Sequence, residues 1–369
     1  MEETQLIAII AEELGLRRTQ VKQTIDLLDA DNTVPFIARY RKEMTGSLDE
    51  EQIRAIQERI AYLRGLEERK RVVLNSIEEQ GKLTAELAEK INAATKLQEV
   101  EDLYLPYKPK RRTRAMIARE KGLEPLAALI LAQTLEEGDI SEIAAAYVDA
   151  EKGVSGVKDA LAGARDIVAE TVSDDATVRR IIRERTFAVG IFKSLAKDQD
   201  NPGNYEMYKE FGEPVKTIPP HRVLAINRGE REDVLKVWID VEEAELVQEI
   251  LSVYPLNPKC IFSDELLTAS ADAYHRLIAP AIEREIRHDL TANADDHAIR
   301  VFAQNVRALL MAPPLRDKII MGIDPGFRTG CKVAVIDETG KYLEGATIYP
   351  QEPQKRWLEA KETVRELLE

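Results

Sequence analysis

Cysteine is nearly absent from this 369-residue chain: Cys260 and Cys331 stand far apart and share no metal-ligand spacing. Two such residues read most simply as free thiols in a reducing cytosol, so a cytoplasmic setting is expected. Aromatic residues make up only 5% of the chain, while Ala, Glu, Leu, Ile and Arg dominate, a composition that predicts mostly helix. No apolar run approaches the roughly 20 residues of a membrane span. The opening segment MEETQLIAIIAEELG carries acids where a signal peptide carries lysines, so no membrane partner is expected.

Several catalytic signatures are also missing. There is no glycine loop ending in a Walker-type lysine, and no serine or cysteine sits in a recognisable nucleophile context. His221, His275, His288 and His297 occur singly, and Asp295-Asp296-His297 reads as an acidic helical turn rather than a metal site. The chain also lacks overall positive charge. At a net charge of −14, any contact with a polyanion must come from local basic patches within an acidic field.

The chain does carry many helix signals. Leu6, Ile7, Ile10 and Leu14 form one stripe, Gly15 breaks it, and Val21, Ile25 and Leu28 form the next, with Thr19 as a candidate cap. This is helix-turn-helix spacing, with Arg17, Arg18 and Lys22 nearby. A packing role competes with a recognition role, because three charges do not make a recognition helix. The segment FIARYRKEMTG then places Arg39, Arg41 and Lys42 close together. A capping box at Ser47 and Glu50 opens a long helix through Ile53, Ile56, Ile60, Leu63, Leu66, Val73 and Ile77, ended by Gly81. At 1.5 Å per residue it spans roughly 50 Å and reads as a spine between lobes.

A short helix is predicted over 84–94, and then the composition changes sharply. In YLPYKPKRRTRAMIAREKG, two prolines interrupt regular structure. Lys108, Lys110, Arg111, Arg112, Arg114, Arg119 and Lys121 accumulate there against one acid, Glu120. Beside Tyr104 and Tyr107, such a loop is suited to pairing phosphates and stacking a base. The competing reading is that its arginines bridge to acidic helices and tie the loop to the spine.

From Glu124 to about Ala188 short helices follow one another, with Asp139–Glu142 and Asp174-Asp175 marking helix starts. Val223–Ile226 and Val234–Ile239 flank the turn-rich NRGERED and predict a small β-hairpin. A last long helix, with Ile282, Ile286, Leu290, Val301, Phe302, Val306 and Leu309 on its buried face, should stop at Pro313-Pro314.

Beyond that point the pattern becomes strand-like: Ile319–Ile323, Asp324, the loop PGFRTG, Lys332–Ile336, a turn at Asp337–Gly340, then Tyr342–Tyr349 and a helix near Trp357. A strand, an Asp, a loop with Gly326 and Gly330, and a return strand form the opening of RNase H-like and resolvase-type nucleases. Sugar-kinase and actin folds share the layout less closely. A carboxylate at that position, joined by others from later elements, can hold two Mg²⁺ on a scissile phosphate. Asp324 alone is not a two-metal site, and Asp337 and Glu344 lie in the wrong elements to complete one. Three strands and one helix cannot cover both faces of a sheet, so the natural chain is expected to continue.

The segments NTVPFIARYRKEMTG, VEDLYLPYKPKRRTRAMIAREKGLEPLA, PPHRVLAINRGERE and IDPGFRTGCKVAVID resemble the Tex family of transcription accessory proteins. They occur in the family's order and cover essentially the whole chain. The resemblance implies a mainly α chain: a helix-turn-helix-like unit over 1–46, a helical central region over 47–314 with its hairpin near 222–239, and the start of an α/β RNase H-like domain of YqgF type over 315–369. In the family a helix-hairpin-helix domain and an OB-type RNA-binding domain follow, and neither is found in this sequence.

The expected function is a scaffold that binds RNA or DNA and touches RNA polymerase or ribosome-associated factors, without a cofactor. The nucleic-acid contacts would come from the 108–121 cations with Tyr107, and from Arg39, Arg41 and Lys42. One alternative is a Mg²⁺- or Mn²⁺-dependent resolvase-like nuclease using Asp324. Another is a module whose long acidic helices bind protein partners alone.

Overall fold

The structure is a computed structural model that describes residues 3–369 except 314, 316, 327 and 328. It divides into two units, Met1–Asp295 and Asp296–Glu369. The described residues contain seventeen α-helices and six strands. No helix among them is long and apolar enough to cross a membrane.

The first unit is built along the long helix expected from sequence, Glu50–Glu79. Its start differs from the predicted one. Gly46 and Ser47 both turn left-handed, at φ 63° and 66°, so Ser47 cannot cap. Asp49 caps instead: its carboxylate accepts from the Gln52 amide at 2.8 Å, and the Gln52 side chain accepts from the Asp49 amide at 3.1 Å. Ile53, Ile56, Ile60 and Leu63 bury against the helices Glu3–Leu14, Arg18–Asp29 and Val34–Tyr40. One turn on, Leu66, Val73 and Ile77 bury in a separate core with Ile91, Val100 and Tyr104. The helix therefore serves two cores along one side, as a spine should. In the N-terminal pair Gly15 does break the first helix, but the second begins at Arg18, which places Thr19 in its first turn rather than at its cap.

The third core, 115–294, surrounds the helices Val157–Asp174 and Ala176–Val189 and a three-stranded sheet. The expected starts at Asp139 and Asp175 hold, each carboxylate accepting backbone amides of the first turn. The sheet corrects the predicted hairpin. Its strands are β1 (Ile191–Ala196), β2 (Glu210–Pro214) and β3 (Leu235–Asp240), antiparallel in the order β2-β1-β3. The second half of the expected hairpin is β3, but Val223–Ile226 lies in the helix Pro220–Arg231. Pro220 starts that helix, and Val223, Ile226 and Gly229 recur every three residues on its buried side. Gly229 lies so close to Leu235 that a Cβ there would sit 2.6 Å from that side chain, so this glycine fits the helix to β3.

The helix Ala279–Leu310 follows a π-helical turn, Ala273–Ile278, and begins in the first unit. Ile282 and Ile286 bury as expected and Leu290 packs on the core. Val301, Phe302, Val306 and Leu309 do not; all four are exposed. Their stripe has helical spacing, but no apolar layer among the described residues covers it. The helix ends at Leu310, before Pro313; Pro314 lies outside the described residues.

In the second unit β4 (Ile320–Asp324), β5 (Cys331–Ile336) and β6 (Tyr342–Ile348) form an antiparallel sheet in the order β4-β5-β6. Cys331, Val333 and Ile348 pack with Ala360 of the helix Trp357–Glu366 on one face. This matches the strand and helix positions read from sequence to within a residue or two.

Candidate nucleic-acid interface

The basic segment is half helix. Leu105–Tyr107 is a 3₁₀ turn, residues 108–113 are irregular, and Arg114–Glu120 is helical, with the Thr113 hydroxyl accepting from the Met116 amide at 3.0 Å. The two tyrosines separate in role. Tyr104 is buried, its hydroxyl 3.0 Å from Ser76 Oγ, and cannot stack a base. Tyr107 is half-buried against the spine core, its carbonyl accepting from Gln80 at 3.0 Å.

The seven cations divide into two sets. Lys110 pairs with Asp174, Arg119 Nη1 donates to Glu170 at 2.7 Å, and Lys121 Nζ donates to the Gly153 carbonyl at 2.8 Å. These three fasten the segment to the helix Val157–Asp174 and the turn before it. Arg112 pairs with Glu120 at 2.7 Å, but both side chains are largely exposed. Lys108, Arg111 and Arg114 are exposed and have no carboxylate within ion-pair distance among the described residues. The tying role and the available charge thus fall on different residues of one run.

Below the segment a pocket of about 430 Å³ is lined by Lys110, Arg114, Asp166, Glu170, Asp174 and Arg276, among others. Its carboxylates respond differently to burial. Burial pushes Asp174 above the usual carboxylate range even with Lys110 beside it, and pushes Asp166 up against the pull of Arg276 and Arg114. Burial acts on Glu170 too, yet hydrogen bonds from Arg119 and Thr113, with the charges of Lys110 and Arg119, outweigh it and hold this group below the usual range. A carboxylate with a depressed native pKa stabilises the fold above its unfolded pKa, and this contribution is lost as pH falls through the native one. Glu170→Gln is therefore expected to flatten the acid limb of the stability profile. Urea unfolding of both proteins at neutral and acidic pH measures this; an unchanged acid limb would contradict it.

One cluster was not anticipated. Arg179 Nε donates to Asp102 at 3.0 Å and its Nη2 to Glu285 at 2.5 Å; Arg183 donates to the same two carboxylates at 2.9 and 2.8 Å. Arg179 and Asp102 are buried and Arg183 and Glu285 partly so, and the group joins the helices Leu97–Tyr104, Ala176–Val189 and Ala279–Leu310. It sets the position of the spine-side core relative to the central one within the first unit, directly beneath the basic segment. The sequence signal was Arg179 and Arg183 four residues apart, flanking the buried Ile182.

Arg39 and Lys42 are exposed, and Arg41 places its guanidinium 5.0 Å over Phe36. In the second unit Asp324 ends β4 opposite Lys332 and is exposed. Its loop needs its glycines: a Cβ on Gly326 would lie 2.4 Å from the Gly330 carbonyl oxygen, and Gly330 has φ 82°. Phe327 and Arg328 of that loop lie outside the described residues. Asp337 closes the β5–β6 turn by accepting from Thr339 and Lys341, a turn-capping role. Among the described residues no group of three His, Cys, Asp or Glu side chains is arranged to hold a metal ion. Among the described residues Asp324 has no carboxylate companions with which to fit a two-metal site.

Three family models cover most of this architecture in order. One described as Tex-like protein N-terminal domain matches residues 4–78, and one described as Tex central region-like matches 136–302. A third, described as Tex protein YqgF-like domain, matches 318–369. The chain belongs to the Tex family.

Among curated relatives of this Tex-family chain, "Uncharacterized protein YdcI" of Bacillus subtilis is 49% identical over 98% of this chain and 50% of its own. "Transcriptional accessory protein Tex" of Neisseria gonorrhoeae is 40% identical over 92% of this chain and 45% of its own. The human "S1 RNA-binding domain-containing protein 1" is 29% identical over 93% of this chain and 36% of its own. The chain spans about half the length of the curated bacterial relatives it matches.

Proposed function

We propose that this chain is the scaffold part of a transcription accessory protein and contacts nucleic acid through unpaired cations on its surface, without catalysing a reaction. The observation that carries this reading is the division within the basic segment. Lys110, Arg119 and Lys121 hold it in place, while Lys108, Arg111 and Arg114 stand exposed with no carboxylate within ion-pair distance among the described residues, Arg114 facing Asp166 only at longer range. Exposed cations without a close carboxylate, in a chain of net charge −14, contribute little to the fold and suit a polyanion. The names of the relatives, one a transcriptional accessory protein and one an S1 RNA-binding domain-containing protein, agree with a nucleic-acid role. The reading expects RNA polymerase or ribosome-associated factors as protein partners, and a cytoplasmic setting suits two free, buried cysteines.

Replacing Lys108, Arg111 and Arg114 together by alanine is expected to weaken binding of single-stranded RNA by roughly ten-fold or more at low salt, with little change in thermal stability. Lys110→Ala and Arg119→Ala should do the reverse. Fluorescence anisotropy beside thermal melting separates the two; equal binding by the triple variant and the parent would remove the segment from the interface.

A further inference from the structure

Residues 3–46 contain six basic side chains: Arg17, Arg18, Lys22, Arg39, Arg41 and Lys42. None has a carboxylate within ion-pair distance among the described residues, although the same stretch holds seven acids. The reason is that the spine helix draws acids to the other side. Arg59 pairs with Glu13 at 2.5 Å, and Arg64 pairs with Asp29 at 2.7 Å and Glu3 at 3.0 Å. Three acids are thereby bound on the spine side. Glu12, Asp26, Asp31 and Glu43 remain exposed, and of these only Glu43 lies within the basic run 39–43.

Packing sets Arg17 against the turn that follows the basic run, and Tyr40 stands exposed between Arg39 and Arg41 in that run. Gln20 donates to the carbonyls of Thr45 and Gly46, both at 3.2 Å, which ties the start of the helix Arg18–Asp29 to the turn that ends Lys42–Thr45. Arg17 lies against the same turn: a Cβ on Gly46 would sit 2.9 Å from its Nη2. Phe36 and Tyr40 share a helix face, with ring centroids 5.3 Å apart, and Arg39 adjoins them one turn from Phe36. Arg41 covers Phe36, while Tyr40 is left 61% exposed.

We infer that Arg17, Arg39, Arg41 and Lys42 with Tyr40 form a second nucleic-acid contact, separate from the basic segment, that takes a single strand. It rests on the nucleic-acid reading above but on different residues. The cations pair with phosphates, and the Tyr40 ring offers a stacking platform, which only an unpaired base can use. A duplex fits less well. The exposed side of the helix that a major groove would receive carries Asp26 after Arg18 and Lys22, setting a carboxylate against phosphate.

The test uses the whole chain and measures anisotropy with a labelled oligouridylate and with a duplex of equal length, over a range of salt. One variant combines Arg39→Ala, Arg41→Ala and Lys42→Ala; a second is Tyr40→Ala; a third is the triple alanine variant at 108, 111 and 114. Circular dichroism confirms folding. The first variant should lower single-strand affinity roughly ten-fold or more and reduce the slope of log affinity against log salt by about 2. Tyr40→Ala should weaken the single strand roughly ten-fold and leave the duplex unchanged.

If both N-terminal variants bind as the parent does while the third loses affinity, this inference fails and the broader reading stands. If Tyr40→Ala has no effect and polyglutamate competes as well as RNA, the face recognises negative charge alone and the single-strand assignment fails. If the parent binds neither oligonucleotide at low salt, both readings fall together.

Discussion

Asp102→Ala should lower the stability of the first unit by about 3–5 kcal/mol, because it leaves the buried Arg179 and the partly buried Arg183 without one of their two counter-charges. Arg179 and Asp102 are 7% and 5% exposed at their side chains, so this pair is largely shielded from water, while Arg183 borders an open pocket. Glu285 remains, but it cannot fill the hydrogen bonds that both arginines direct at Asp102. The exposed pair Arg112–Glu120 supplies the contrast: breaking it should cost under about 1 kcal/mol. Urea unfolding followed by circular dichroism compares the two. A similar small loss for both would mean that the Asp102 network is hydrated.

Phe192→Ala is expected to cost about 3–5 kcal/mol. Phe192 is fully buried on β1, the central strand of its sheet, opposite Glu213 of β2 and Ile239 of β3. Deleting its ring opens a void that the two flanking strands cannot close without losing their pairing. Leu195 on the same strand faces outward and is 40% exposed, so Leu195→Ala should change stability by only about 0.5 kcal/mol. Equal losses at the two positions would contradict the alternation of β1.

The spine, the N-terminal helix pair and the strands of the second unit were legible because long apolar patterns record their own period. Ile53, Ile56, Ile60 and Leu63 define a face whatever packs on it. β1 was not legible. Its inward residues are Phe192, Ser194 and Ala196, and two small side chains hide an alternation that one phenylalanine cannot show. β2 has a single large apolar residue, Phe211, and its pairing with β1 is the main reason it is a strand. Val223–Ile226 failed in the opposite sense: four apolar residues in a row suit either period, and the proline at 220 decided for helix.

For the candidate site, the sequence located the basic segment but could not divide its cations, because Asp174 and Glu170 lie more than fifty residues further along the chain. The same distance hid the Asp102 network. The exposed stripe of Val301, Phe302, Val306 and Leu309 shows a related limit: periodicity reveals an apolar face but not what covers it.

The most direct test of a nucleic-acid contact through unpaired cations is the salt dependence of single-stranded RNA binding by the unaltered chain. Three phosphate contacts from the basic segment predict a slope of log affinity against log salt of about −2, and six or seven contacts a slope of about −4 to −5. A value in that range, with clear binding at low salt, is the expected result. Absence of binding at low salt, or a slope near zero, would contradict the account.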